Sequence, residues 1–300
     1  MVVLLAGGTG GAKLAAGLYE LLGDELTVVA NTGDDVEVYG VHVSPDPDLV
    51  TYRLAGMLDE RGWGIEGDSW SAMDGFAAAG QPTWFRLGDR DLALCLVRTE
   101  LLRAGARLTE AHAAVVAACG VRARVLPASD DPIHTWVRSR GEWLEFQRFM
   151  IVEAAAAPIA GVEFRGAGSA RPAPEVLAAI EAADAIVIGP SNPIISIGPI
   201  LAVPGIRAAL AAAAAPVVAV SPFVGGRSVK GPTEAFMEHA GHERSAAGVA
   251  GAYAGAIDAL VCDEPGDDLP LPALTTDTLM PDAAEALRLA RETLDFAGSL

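Results

Sequence analysis

The chain has 300 residues, enough for one large α/β domain or two small ones. Its 39 Asp and Glu against 21 Lys and Arg leave a formal net charge of −18, which argues against nucleic acid as a partner because a phosphate backbone demands a basic stripe. Although 51% of the residues are hydrophobic, no apolar run reaches about 18 residues without a charge, Gly or Pro, so no membrane span is expected.

Val2 to Ala6 is an apolar strand that carries no basic leader, and Cys95, Cys119 and Cys262 show neither CxxC nor zinc spacing. The expected setting is the cytoplasm, with reduced thiols. Gly7-Gly8-Thr9-Gly10-Gly11-Ala12-Lys13 follows the strand at once, and Leu14, Leu18, Leu21 and Leu22 then recur at helical spacing. Such a turn lets backbone N–H groups at a helix N-terminus approach a phosphate. It is neither GxxxxGK[ST] nor GxGxxG, and a tight turn without ligand is the other reading. Gly8, Thr9, Gly10 and Lys13 are its candidate ligands. Leu26 to Ala30 is the next strand, and Asn31-Thr32-Gly33-Asp34-Asp35 ends it. Asn31, Asp34 and Asp35 stand where a nucleotide fold holds polar ligand groups, and they equally suit a capped turn.

Ser44-Pro45-Asp46-Pro47-Asp48 offers two carboxylates at i and i+2, stiffened by prolines, as a site for a hard divalent cation. Asp48 also suits the N-cap of a helix expected from about Leu49. From there to about Pro127 the pattern is mainly helical, with Leu92, Leu96, Leu101 and Leu102 marking one amphipathic stretch. Leu87-Gly88-Asp89-Arg90-Asp91 opens that stretch. Arg90 could pin an anionic oxygen and Asp89 or Asp91 a hydroxyl, or the segment is a helix cap with a local ion pair. Val121 to Leu126 is a strand, and Trp136-Val137 with Trp143 to Phe149 suggests an antiparallel excursion. Ala185 to Ile188 is a buried strand that runs into Gly189-Pro190-Ser191-Asn192-Pro193 and on through Ser196-Ile197-Gly198-Pro199, where Ser191, Asn192 and Ser196 are polar groups on a path fixed by Gly and Pro. Pro216 to Val220 and Ile257 to Cys262 are further strands, and a helix over 282–296 closes the chain. The scattered His42, His112, His134, His239 and His242 lack metal spacing.

Together, Ala6-Gly7-Gly8-Thr9-Gly10, Asn31 to Asp35, Ser44 to Asp48, Leu87 to Asp91, Leu126-Pro127-Ala128-Ser129-Asp130-Asp131-Pro132, the 189–200 stretch and Asp277-Thr278-Leu279-Met280 resemble, in order and spacing, the 2-phospho-L-lactate transferases of coenzyme F-420 biosynthesis. The likeness runs from Val2 to about Met280. Pro47 stands where Leu is usual, Val50 lies where Thr is expected nearby, and Lys230 occupies a loop that commonly holds a small residue.

The resemblance implies one α/β domain over 1–300: a Rossmann-like parallel sheet flanked by helices, with a mainly helical region, 44–120, inserted as a lid over the strand carboxyl ends. It implies a magnesium-dependent homodimer. The donor is a guanosine diphosphate ester of lactate, enolpyruvate or glycerate, the acceptor is the ribityl hydroxyl of 7,8-didemethyl-8-hydroxy-5-deazariboflavin, and GMP is released. Asp46 and Asp48 are then the expected magnesium ligands, with Asp46, Asp48 and Arg90 at the reaction centre. The glycine turn, Asn31 to Asp35, Asp89 and the Ser191, Asn192 and Ser196 loop serve the substrates. Trp63, Trp70, Trp84 and Phe85 offer the deazaflavin an apolar slot near Asp48 and Arg90. A related non-catalytic nucleotide-binding regulator is the alternative. A nicotinamide oxidoreductase fits less well because the GxGxxG spacing fails.

Overall fold

A computed structural model describes residues 1–156, 158–229, 231–263 and 269–300. Lys230, which departs from the family pattern, lies outside the described residues. The chain opens with β1 (Val2–Ala6), α1 (Gly8–Leu22) and β2 (Leu26–Ala30), as its glycine turn and apolar runs dictate. A short hairpin follows, β3 (Val36–Val38) and β4 (Val41–Val43), before the helices α2 (Pro45–Leu54), α3 (Ser71–Ala78), α4 (Asp89–Arg103) and α5 (Leu108–Ala118). Next come β5 (Arg124–Pro127), β6 (His134–Ser139), β7 (Glu142–Glu145), α6 (Phe146–Ile151) and β8 (Ile159–Arg165). They lead into α7 (Pro174–Glu181), β9 (Ala185–Ile188), α8 (Gly198–Ala202), α9 (Ile206–Ala212) and β10 (Val217–Val220). The rest is β11 (Phe223–Val224), β12 (Arg227–Ser228), α10 (Thr233–His239), α11 (Ala246–Ala252), β13 (Ala259–Cys262), β14 (Ala273–Thr275) and α12 (Ala283–Ala297).

Seven strands form one sheet in the order β14-β13-β10-β9-β1-β2-β5, and every pairing in it is parallel. The continuous apolar runs of β1, β2, β9, β10 and β13 are buried throughout, because helices cover both faces of such a sheet. One face buries Leu14 and Leu18 of α1, Val50 of α2, Val116 of α5 and Leu289 of α12. The other buries Val176 of α7, Ile200 of α8, Ile206 of α9 and Val249 of α11. The expected α/β class therefore holds. Chain order runs outward in both directions from β1 and β9, so the gap above these neighbours is a topological switch point, where open sheets of this kind bind ligands.

The region between β2 and β5 divides in two. α2 and α5 are part of the sheet's helical cover, since Val50, Leu54 and Val116 share a core with β1 and β2. The segment from Ala55 to about Asp91 is what reaches over the strand ends, and it leans on the β3–β4 hairpin, where Val36, Val43, Phe85, Leu87 and Cys95 share a small separate core. The antiparallel excursion at Trp136 is a three-stranded sheet, β7-β6-β8. Strand β7 ends at Glu145 rather than Phe149, because Phe146 and Phe149 instead form one buried face of α6, packed on Phe236.

Candidate active site

Loops that follow β1, β2, β9 and β10 meet beneath the 55–91 segment around a single cavity of about 1080 Å³. That exceeds the roughly 300–1,000 Å³ of ordinary small-molecule sites and leaves room for two substrates.

The glycine turn forms its floor. α1 begins at Gly8, whose φ of +64° is a conformation that glycine adopts freely and other residues avoid. The Gly8 N–H donates to Asp46 Oδ1 at 2.7 Å, and the Gly7 N–H donates to Ser191 Oγ at 3.2 Å. A Cβ on Gly10 would lie 2.1 Å from the Pro190 carbonyl oxygen, and one on Gly11 would lie 2.6 Å from Ser191 Oγ. The missing side chains thus let the β1 and β9 loops touch. Thr9, Gly10 and Lys13 line the cavity at the helix N-terminus, and Lys13 Nζ donates to the Met280 carbonyl at 2.7 Å. Asn192, on the β9 loop beside this turn, also lines the cavity. Its Oδ1 accepts the N–H groups of Ile194 and Ile195, while its Nδ2 is buried without a partner, as is Thr278 Oγ1 nearby on the wall. Ser191 and Ser196 also line the cavity.

The acids are arranged differently from the expected pairing. α2 starts at Pro45 with Ser44 as its N-cap, four residues before Leu49. Proline fits the first turn, where its missing N–H costs nothing. Asp46 and Asp48 are therefore helical residues at i and i+2, which point to different sides. Asp46 faces the glycine turn and takes the Asn31 side-chain amide on Oδ2 at 2.9 Å. Asp48 turns toward α4, where Arg98 Nη1 and Nη2 donate to its two oxygens at 2.6 and 2.8 Å. Asp34, rather than Asp48, is the other buried acid that feels the Asp46 charge.

Burial pushes the Asp34 carboxyl well above its usual range, and the adjacent Asp46 adds to the shift. Burial also lifts Asp46, to about 6, against hydrogen bonds from Asn31 and Gly8 that pull it down. Asp34 Oδ1 has no hydrogen-bond partner although it is buried. Two neighbouring buried carboxylates, one with an unsatisfied oxygen, fit a divalent cation, whose charge would offset the cost of ionising both acids. Asp35 lies behind this pair: its Oδ2 accepts from Ser44 Oγ at 2.8 Å and faces His42 Nε2 at 3.0 Å. Neither Asp35 nor Asn31 reaches the cavity wall.

Asp91 lies further along the wall and accepts the Tyr52 phenol at 2.8 Å. Burial, with the Asp48 charge in support, raises its carboxyl to about 7. Ligand atoms of Asp48, Asp91 and Cys95 lie within 4.8 Å of one another. They do not offer a ready cation site, because Arg98 takes both Asp48 oxygens and burial pushes the Cys95 thiol up.

Asp89 and Arg90 stay outside the cavity. Asp89 accepts from Ser69 Oγ and from the N–H groups of Ser71 and Ala72, so it caps α3. Arg90 is exposed, with Nη1 on the Glu66 carbonyl at 3.1 Å. Arg61 and Arg86 are the guanidinium groups on the wall, 5.6 and 4.9 Å from the centroid of the Trp70 ring. Trp63, Trp84 and Phe85 line the same end. The sequence signal for these arginines was their place among aromatics: Arg61 is two residues before Trp63, and Arg86 directly follows Phe85.

The family model for 2-phospho-L-lactate transferase, CofD, matches residues 2–279. A phosphoenolpyruvate transferase of Kitasatospora aureofaciens is 45% identical over 257 residues, covering 83% of this chain and 80% of the relative. A 2-phospho-L-lactate transferase of Methanosarcina mazei is 39% identical over 298 residues, covering 96% and 98%. A crystal structure of a UPF0052-family protein from Bacillus halodurans superposes with a TM-score of 0.62 at 17% identity, covers 98% of both chains, and shows the shared fold. With the match spanning nearly its whole length, the chain belongs to the 2-phospho-L-lactate transferase family.

Proposed function

We propose that the protein moves a phospho-three-carbon-acid group from a guanosine diphosphate ester to the ribityl hydroxyl of 7,8-didemethyl-8-hydroxy-5-deazariboflavin, releasing GMP in coenzyme F-420 biosynthesis. The observation that carries this reading is the buried Asp34–Asp46 pair, set between a glycine turn and an arginine-flanked aromatic end of the same cavity. The relatives' names support transfer of either a phospholactyl or a phosphoenolpyruvyl group.

In this reading the diphosphate lies over the N-terminus of α1, where Thr9, Gly10 and Lys13 line the floor, and Asn192 Nδ2 and Thr278 Oγ1 donate to the nucleotide. Asp34 and Asp46 would hold the magnesium ion, which supplies positive charge to the diphosphate when bound. The deazaflavin ring takes the end lined by Trp63, Trp70 and Trp84, with Arg61 and Arg86 at its polar edge. The acceptor oxygen forms a bond to the phosphorus that bears the three-carbon acid, and the bond from that phosphorus to the GMP oxygen breaks. Positioning and charge stabilisation dominate such a step. The hydroxyl proton passes to a carboxylate of the wall, and Asp91, titrating near about 7, suits that task. The expected cytoplasmic setting and homodimer belong to the same proposal. No helix among the described residues is long and apolar enough to cross a membrane, and sedimentation analysis tests the dimer.

The deciding experiment incubates the protein with magnesium, the deazaflavin and each donor ester in turn, and follows the products by mass spectrometry. GMP with a deazaflavin phosphodiester is expected from at least one donor. Nucleotide binding without GMP release from any donor would mark a binding module instead.

A further inference from the structure

Arg98 is wholly buried, and it gathers separate pieces of the acidic floor. Its Nη1 and Nη2 hold both oxygens of Asp48, and its Nε and Nη2 also donate to the His42 carbonyl at 3.2 and 3.0 Å. The neighbouring Thr99 Oγ1 accepts the His42 N–H at 2.8 Å. One turn of α4 thus grips the backbone of His42 from both sides, while the His42 ring meets Asp35. Of the five acids Asp34, Asp35, Asp46, Asp48 and Asp91, Asp48 is the one paired with an arginine or lysine among the described residues. His112 lies 3.9 Å from Asp48, but burial lowers it to about 4, so it is neutral near pH 7 and leaves Arg98 as the counter-charge.

This arrangement is costly for the helix. α4 turns Arg98 and Thr99 inward and leaves Leu96 and Val97 in solvent, the reverse of what apolar burial favours. A buried ion pair is seldom needed for stability, because well-packed apolar residues often do as well. The pair makes more sense as a device that fixes one carboxylate at the cavity wall.

Resting on the transfer reading above, we infer that Arg98 is a positioning residue. It holds Asp48 by both oxygens on the α4 side of the wall, directly beside Asp91, keeps Asp48 from competing as a cation ligand, and so leaves the cation to Asp34 and Asp46.

The test compares Arg98→Met, Arg98→Lys, Asp48→Asn and the double variant Asp48→Asn/Arg98→Met. Two readouts are taken: steady-state transfer with the acceptor varied at saturating donor, and binding of Mn²⁺ alone by calorimetry. Arg98→Met and Arg98→Lys should lower kcat about 100-fold, the scale of a small misplacement of a reacting group, and should leave GDP affinity unchanged. Adding Asp48→Asn to Arg98→Met should cost little more, because both act through one carboxylate. Mn²⁺ should bind Arg98→Met several-fold more tightly than wild type, since Asp48 is then unpaired, and the double variant should lose that gain. If Arg98→Met fails to fold, Arg98→Gln, which likewise leaves Asp48 without a cationic partner, carries the same comparisons. Unchanged kcat in folded Arg98 variants, or kcat losses that multiply independently of Asp48→Asn, would overturn the assignment. Equal Mn²⁺ affinity in wild type and folded Arg98→Met would overturn it too, whatever the turnover. Absence of transfer by the wild type would instead defeat the functional reading, while the Mn²⁺ comparison would still judge Arg98.

Discussion

The side-chain amide of Asn31 donates to Asp46 Oδ2 at 2.9 Å, and this bond joins the end of β2 to the first turn of α2. The Gly8 N–H holds the other Asp46 oxygen at 2.7 Å. Asp46 is thereby fixed near Asp34, whose Oδ1 is buried without a hydrogen-bond partner.

The metal prediction follows from that pair. Transfer should stop with EDTA and return with magnesium. Asp34→Asn should lower kcat by at least about 100-fold, as expected for loss of a ligand. It should also raise the melting temperature of the metal-free protein near pH 7, because burial, with Asp46 in support, disfavours the ionised Asp34 that the unfolded chain adopts freely. Magnesium should stabilise the wild type and not the variant. Calorimetric melts with and without magnesium check both statements, and a metal-free Asp34→Asn protein less stable than wild type would contradict the pairing.

Two glycines of the turn should behave differently when mutated. At Gly8 a Cβ meets only Ser196 Oγ, at 3.7 Å, so Gly8→Ala is sterically possible and costs about 1–2 kcal/mol for its left-handed backbone. The new methyl group stands where a phosphate would approach, so GDP affinity should fall at least about tenfold, or 1.4 kcal/mol. Gly10→Ala collides with the Pro190 carbonyl and should destabilise the fold by about 1–3 kcal/mol. Titration calorimetry and thermal melts separate the two. Unaltered GDP binding by folded Gly8→Ala would remove the turn from the nucleotide site.

Of the arginines near the aromatic end, Arg86 should matter to the acceptor and Arg90 should not. Arg86 lies 4.9 Å from the Trp70 ring on the cavity wall, whereas Arg90 points outward to Glu66. Arg86→Ala should raise the acceptor KM about tenfold, consistent with losing a contact worth roughly 1–2 kcal/mol, while Arg90→Lys leaves acceptor kinetics as they are. A larger effect at Arg90 would put the acceptor elsewhere.

Asp91 gives a pH signature of defined sign. Its carboxyl is raised by burial to about 7 in the folded protein, from the 3.8 of an ordinary aspartate. Such a group favours the folded state fully below about pH 4, and that contribution is lost as pH rises through about 7. Relative to Asp91→Asn, the wild type should therefore lose stability between about pH 4 and pH 7, by a shift of a few degrees in Tm, at roughly 2–4 °C per kcal/mol for a chain of this class. Parallel Tm curves for the two proteins across that range would show that Asp91 ionises as an ordinary acid.

The sheet was legible because its strands are unbroken apolar runs that end in glycine or polar loops, as in Val2–Ala6 before Gly7 and Ala185–Ile188 before Gly189. The β3–β4 hairpin was not, since each strand has only three residues around the Tyr39-Gly40 turn and shows too little alternation to stand out. The start of α2 was misplaced by four residues because prolines at 45 and 47 suggest a stiff loop as readily as a first helical turn. Asp48 and Arg98 lie fifty residues apart and share no local pattern. The leucines of α4 actively misled: Leu96 marks the solvent side, because pairing Arg98 with Asp48 overrides the apolar pattern.

The two ends of the cavity have separate origins along the chain. The glycine turn and the loops after β9 and β10 belong to the sheet, while Arg61, Trp63, Trp70, Trp84 and Arg86 all fall between α2 and α4. A chimera that takes residues 55–88 from a relative would therefore exchange the aromatic, arginine-bearing wall without redrawing the glycine floor. Preference for one partner can drift or be engineered while the other is inherited intact.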